Sequence, residues 1–174
     1  KLVARDGLGF NNVDVEAARE RGCFVTKVEK SVEREAVAEC AVCEMIDLIR
    51  KIWLGIRAAD SNRWLDRGQF VGFELRNRTV GIVGCGNIGS RVAEILHHGF
   101  GARVIANDPV ADEAWAQKNG VEYVDLDTLV AESDVITLHA TLNPTSFHLV
   151  DEKFLAGIKP GTYLVNTARG DILD

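Results

Sequence analysis

The sequence has no apolar run long enough to span a bilayer and no leader of the secretory type, so nothing in it points to a membrane or an export route. It has no disulfide framework either. Cys23, Cys40, Cys43 and Cys85 show no pairing pattern, as expected in a reducing cytosol. Cys40 and Cys43 are spaced like a redox or zinc pair, but they lie inside a long helical pattern with no second ligand pair. They read as two small buried hydrophobes, and no metal site is expected. Lysine and arginine form no cluster, and the formal net charge of -6 argues against nucleic acid or another polyphosphate held by bulk charge. The expectation is a soluble, cytoplasmic protein with neither nucleic acid nor membrane as partner. A start methionine is missing too. Residues 2–4 already read as a strand, and residue 174 follows closely on a loop of functional character, so a piece of a longer chain is expected.

What is present is apolar material, 47% of 174 residues, enough for one sizeable core or for one domain and part of another. The most informative stretch is 79–89. Residues 79–83 are a short β-branched run that reads as a buried strand, and Ile88, Val92 and Ile95 then recur at helical spacing. Between them stands Gly84-x-Gly86-x-x-Gly89. In a dinucleotide site the first glycine permits the tight turn, the second lets a pyrophosphate approach the backbone, and the third lets the helix pack close to the sheet. The helix start then offers unpaired N–H groups to the phosphates. Alone, the pattern fits a glycine-rich turn with no ligand equally well. A second strand, 103–107, ends in Asp108, at the spacing of a carboxylate that takes ribose hydroxyls. No arginine occupies the next two positions, Pro109 and Val110, which favours NAD over NADP.

The rest of the chain alternates strands and helices. Residues 2–4, a helix capped by Asp14 and stopped by Gly22, and residues 23–28 form one βαβ unit of a sheet whose other strands lie elsewhere. From residue 33 to about 57 the apolar positions describe one long helix buried on more than half its girth. Either the other lobe and a second subunit cover it, or it is central to one core. Strands at 121–124, 134–138 and 162–165 alternate with helices at 112–119, 126–132 and 151–156. That pitch predicts an α/β fold with a doubly wound parallel (Rossmann) sheet, together with a βαβ remnant of a second lobe. The expected division is 1–28, the end of a substrate-binding lobe, and 29–174, a dinucleotide-binding domain lacking its C-terminal part.

Ligands in such sheets sit at the carboxyl ends of the strands. Those ends carry 84–89, Asp108, 139–141 and 166–170. Arg169 is the sharpest of these, because a guanidinium can hold a carboxylate with two hydrogen bonds or polarise a keto oxygen. By position alone it is also an ordinary surface arginine. His139 is the histidine at a ligand-facing strand end, placed either to act as an acid or to contact a cofactor, whereas His97 and His98 lie toward the far end of the helix.

With these motifs quoted, the chain resembles the D-isomer-specific 2-hydroxyacid dehydrogenase family nearly end to end. The matching residues are Arg5-x-Gly7-x-Gly9 with Asn12-x-Asp14, Val37-Ala38-Glu39, 79–89, Asp108-Pro109, 133–142, and Lys159-Pro160-Gly161 with Asn166-x-Ala168-Arg169-Gly170. The resemblance implies that Leu8 and Gly9 offer backbone N–H groups to the substrate carboxylate. It also implies that Asn87, Ile88, Asp108, His139, Ala140, Thr167 and Ala168 touch NAD, and that Arg169 is the catalytic arginine. A small 2-keto or 2-hydroxy acid would be the substrate, with homodimers formed through the cofactor domain. The family's catalytic carboxylate and histidine lie beyond this arginine loop, so His139 is not promoted to the acid, and these residues alone are expected to be inactive. Ala41 and Thr141 depart from many members, which carry Thr and Pro there. The run 43–54, Leu142-Asn143 and His148-Leu149 resemble the C-terminal binding protein branch, in which dinucleotide binding sets assembly. A dinucleotide-sensing binding protein is therefore the alternative to an enzyme.

Overall fold

A computed structural model describes the backbone of residues 1–174 and the side chains of all but Trp64 and Asp66. The chain opens with β1 (Leu2–Arg5), α1 (Val15–Glu20) and β2 (Phe24–Lys27). It continues through α2 (Lys30–Arg50), α3 (Ile52–Asp60) and a 3-10 segment, Trp64–Phe70. It then alternates through β3 (Thr79–Val83), α4 (Asn87–Glu94), β4 (Arg103–Asn107), α5 (Glu113–Asn119), β5 (Val121–Tyr123), α6 (Leu126–Glu132), β6 (Val135–Leu138), α7 (Glu152–Gly157) and β7 (Tyr163–Asn166). Four aspartates open helices. Asp14, Asp112, Asp125 and Asp151 each accept the N–H three residues on, at 2.7–2.9 Å, at the starts of α1, α5, α6 and α7. Each such cap is worth about 1 kcal/mol.

The strands form two parallel sheets. β1 pairs with β2, and the larger sheet has the order β5-β4-β3-β6-β7. The chain builds outward from β3 in one direction and then crosses back to lay β6 against its other side, so the order reverses between β3 and β6. Buried strands of a parallel sheet are covered on both faces and read as continuous apolar runs. Here Val80 and Ile82 join Met45 and Ile49 of α2 and Val92 of α4 in one layer, while Ile105, Ile136 and Leu138 join Leu129 of α6 and Phe154 of α7 in the other. Among the described residues, no helix is long and apolar enough to cross a membrane.

The helix expected over 33–57 is two helices. Lys51 adopts a left-handed conformation (φ 53°, ψ 39°) and ends α2, and the Asp47 carboxylate accepts the Trp53 N–H at 2.9 Å to start α3. Within the single chain its girth is not mostly covered. Ala38, Ala41, Val42, Met45 and Ile49 are buried on one side, whereas Ile52, Trp53 and Ile56 of α3 are 45%, 43% and 57% exposed. Cys40 and Cys43 fall on the outer side of α2 and are exposed, not small core residues as the sequence suggested. The first helix of the dinucleotide unit also departs from regularity, since α4 runs straight into a π-helical turn, Ile95–Gly99.

At the end of the sheet away from the strand carboxyl termini, Asp134 ties β6 to β3. Its carboxylate accepts the Thr79 N–H at 2.9 Å and pairs with Lys159 at 2.9 Å and with Arg78 at 3.7 Å. Burial pushes this carboxyl up, but Lys159, the Thr79 N–H and Arg78 together outweigh it and hold it below the usual range. A carboxyl depressed on folding contributes stability that is complete above its unfolded value and is lost as pH falls through the folded one. Asp134→Asn is therefore expected to lower stability at neutral pH and to flatten the decline in acid, as read from denaturant midpoints taken across the acid range.

Candidate functional site

The turn after β3 is shaped by what lies against it. Gly84 has φ +89°, and a Cβ there would lie 2.6 Å from the Ala140 nitrogen, because the end of β6 passes directly beside it. A Cβ on Gly89 would lie 2.0 Å from the Gly84 oxygen, so the third glycine is what lets α4 start so close to the turn. Gly86 is different: nothing stands within 4 Å of the place its Cβ would take. Unlike the four aspartate-capped helices, α4 carries no side-chain cap on its first N–H groups. An open backbone beside free donors at the positive end of a helix is chemistry suited to a phosphate.

Asp108 stands at the end of β4 across this turn. One carboxylate oxygen accepts the Cys85 N–H at 2.8 Å and the other the Val110 N–H at 2.8 Å. Each oxygen keeps a lone pair, so the group is fixed in place and still able to accept sugar hydroxyls. Pro109 follows it at the surface. Asn87 is fastened through its side chain, which donates to the Lys30 carbonyl at 2.8 Å, and the Ile88 side chain packs into the core. The Ile88 backbone N–H stands at the open start of α4. Burial pushes the Cys85 thiol up to about 11, and burial likewise moves the neighbouring Tyr123 phenol to about 12, so Cys85 is an inert part of the turn.

His139 and Ala140 form the other wall at the end of β6. The His139 ring lies between two hydroxyls, Thr137 Oγ1 at 2.9 Å from Nε2 and Thr167 Oγ1 at 3.4 Å from Nδ1. Burial pushes its pKa down to about 4, so the ring is neutral at physiological pH. Thr167 belongs to the loop that follows β7. There Asn166 Oδ1 accepts the Ala168 N–H at 3.0 Å and Asn166 Nδ2 donates to the Arg169 carbonyl at 2.9 Å.

That loop reaches from the crevice to the first βα loop of the chain. Arg169 is exposed, donates to Ala168 O at 2.7 Å and to Asn11 Oδ1 at 3.4 Å, and its guanidinium lies against Gly9. A Cβ on Gly9 would fall 1.5 Å from one guanidinium nitrogen. The Gly9 carbonyl accepts Arg5 Nε at 3.1 Å, and the Leu8 N–H is donated to both oxygens of Glu33, each at 3.1 Å. Leu8, Gly9 and Arg169 therefore meet at one place, and the remaining residues line the crevice beside it. Sequence reading missed Thr137, Asn11 and Glu33 as members. Thr137 had a usable signal, since residues two apart in a strand share a face. The contact of Glu33 spans 25 positions and left no local mark.

A parallel sheet whose order reverses beside a glycine-built turn, with a carboxylate closing the next strand, defines a dinucleotide-binding domain. Residues 42–174 match the family described as D-isomer specific 2-hydroxyacid dehydrogenase, NAD binding domain, and the chain belongs to that family. The D-lactate dehydrogenase of Escherichia coli is 43% identical over 175 residues, covering 100% of this chain and 52% of that protein. Its apo structure superposes with a TM-score of 0.92 at 42% identity, covering 100% of this chain and 54% of the other. A hydroxypyruvate reductase from Thermotoga maritima is 38% identical over 174 residues, covering 100% of this chain and 55% of that protein. A D-lactate dehydrogenase from Aquifex aeolicus, complexed with NAD and lactic acid, gives a TM-score of 0.86 at 32% identity, covering 100% of this chain and 51% of the other. The chain thus spans about half the length of these relatives.

The neutral His139 has a measurable consequence. Between the ordinary imidazole range and about 4, the unfolded ring takes up a proton and the folded one does not, so stability is lost as pH falls through that window. Nuclear magnetic resonance of the histidine rings should show His139 without an inflection near neutrality and titrating at about 4.

Proposed function

We propose that the protein containing this chain is an NAD-dependent oxidoreductase that interconverts a small 2-keto acid and its D-2-hydroxy acid. The observation that carries this reading is the position of Arg169. Its guanidinium lies against Gly9 of the first loop, while Thr167, two residues earlier, touches His139 on the wall of the dinucleotide crevice. A substrate held between the guanidinium and the backbone of Leu8 and Gly9 would therefore lie next to the cofactor.

In this reading Gly84, Gly86 and Gly89 with the first N–H groups of α4, including Asn87 and Ile88, receive the diphosphate. Asp108 accepts the ribose hydroxyls with Pro109 turning the chain behind it, and His139, Ala140, Thr167 and Ala168 line the nicotinamide side. NAD, when bound, supplies or accepts the hydride at the substrate carbon. Arg169 clamps the substrate and stabilises the negative charge that grows on its oxygen. That oxygen also needs a proton, and His139, whose half-buried ring is held neutral between two hydroxyls, is poorly suited to give one. The family resemblance implies a donor outside these 174 residues, and the chain alone is expected to be inactive. Residues 1–28 are the end of a substrate-binding lobe and 29–174 belong to the cofactor domain. The names of the D-lactate and hydroxypyruvate enzymes support a short 2-keto acid as substrate.

The apolar outer side of α3 supports a homodimer formed through this domain. Ile52, Ile56 and Phe70 line a groove of about 510 Å³ beside the exposed Trp53, and a second copy of the chain would cover it. Trp53→Glu is then expected to halve the particle mass in analytical ultracentrifugation while leaving the circular dichroism spectrum unchanged; a wild type that already sediments as a monomer rules the assembly out. For the chemistry, the intact protein is expected to oxidise NADH when given a panel of small 2-keto acids. Arg169→Ala should lower kcat/KM roughly a thousandfold or more. A variant with wild-type kcat/KM would remove Arg169 from its role.

A further inference from the structure

The substrate side of the crevice already holds a carboxylate that belongs to the protein. Glu33 lies in the first turn of α2, half-buried, and both of its oxygens accept the Leu8 N–H at 3.1 Å. The contact shows that this N–H faces a carboxylate and is placed to serve one. It also means that the donor is taken. Among the described residues no cation is paired with Glu33, so its charge is balanced only by that N–H and by the positive end of α2.

The position of Glu33 is not adjustable by moving the helix. The next two residues fasten the start of α2 to α4: Arg34 donates to the Asn87 carbonyl at 3.0 Å and pairs with Glu94 at 3.4 Å, and Glu35 accepts Arg91 at 2.7 Å. Asn87 returns a bond to Lys30 at 2.8 Å. With the backbone pinned, Glu33 can leave Leu8 only by rotating its side chain. One N–H cannot serve two carboxylates well, and two anions sharing it repel each other.

Resting on the function proposed above, we propose that Glu33 is a specificity-determining placeholder. It occupies the Leu8 N–H until the carboxylate of the keto acid displaces it, so that part of the substrate's binding energy is spent on the exchange. Because the exchange concerns binding and not the reacting carbonyl, its effect falls on KM and not on kcat. A substrate with a second carboxylate near this point meets the displaced Glu33 charge, so the residue also disfavours dicarboxylic keto acids.

The test uses the intact protein with Glu33→Gln, which keeps an acceptor and removes the charge, and Glu33→Ala, which removes both. KM for a monocarboxylic 2-keto acid should fall roughly three- to tenfold in both variants, with kcat and the KM for NADH within about twofold of wild type. Should Ala loosen the start of α2, Gln still decides the matter. An unchanged or raised keto-acid KM in Glu33→Gln would overturn the placeholder role. Binding of oxamate, an unreactive keto-acid mimic, to the NADH-loaded protein gives a second readout that needs no turnover. Tighter oxamate binding by the variants supports the exchange. Binding by wild type and variants alike overturns it while leaving the proposed function standing, and absence of binding by all of them overturns both.

Discussion

The structure depends on one close approach. The backbone of Gly84, leaving β3, passes so near the backbone of Ala140, leaving β6, that no side chain fits between them. These strands are neighbours only because the sheet order reverses there, and the reversal sends the following chain to opposite faces. The result is a crevice with a backbone floor, bounded by the Asp108 carboxylate on one side and by His139 and Ala140 on the other. Its floor is polar, its walls are fixed by main-chain and side-chain hydrogen bonds, and its helix end is left uncapped. Each of these is a condition for holding a diphosphate without a cluster of cations, which agrees with a chain of net charge -6.

The first turn of α2 joins this floor to the loop that bears Leu8 and Gly9. Lys30, Arg34 and Glu35 face α4, and Glu33 faces Leu8. Four of six consecutive residues thus tie the two halves of the site to one rigid rod. The loop after β7 makes the same connection from the opposite side, through Thr167 to His139 and through Arg169 to Asn11 and Gly9. The Leu8–Gly9 loop and the glycine turn are held at fixed spacing by two independent bridges, which would suit the proposed transfer of a hydride across a short gap between two bound molecules.

Much of this was legible because the physics is local. Aspartate before a helix, glycine after one, and apolar β-branched runs report their roles within a few residues, so the alternation of strands and helices and the glycine turn follow from the chain itself. The break at Lys51 was hidden because a left-handed helix end is ordinarily marked by glycine, and the aspartate that starts α3 sits six positions back inside α2. The exposure of Cys40 and Cys43 was hidden for a related reason. Apolar residues encircle α2, and only the packing partners decide which side is inward. Within the site, His139 and Arg169 announced themselves as chemical groups at strand ends. The quenching of His139 by burial and the hold of Glu33 on Leu8 depend on contacts across the fold, which no spacing rule encodes.

The order β5-β4-β3-β6-β7 has a temporal meaning as well. Pairing of β3 with β4 closes a loop of some two dozen residues, but pairing of β3 with β6 joins Val80 to Val135 across everything in between. Chain entropy makes that longer closure the costlier of the two, which favours its forming after the local pairing. A nascent chain can therefore display the glycine turn, and even the helix behind it, before any crevice exists. The capacity to recognise a dinucleotide needs both strands in place, and a ligand that requires both can trap only molecules that have paired them.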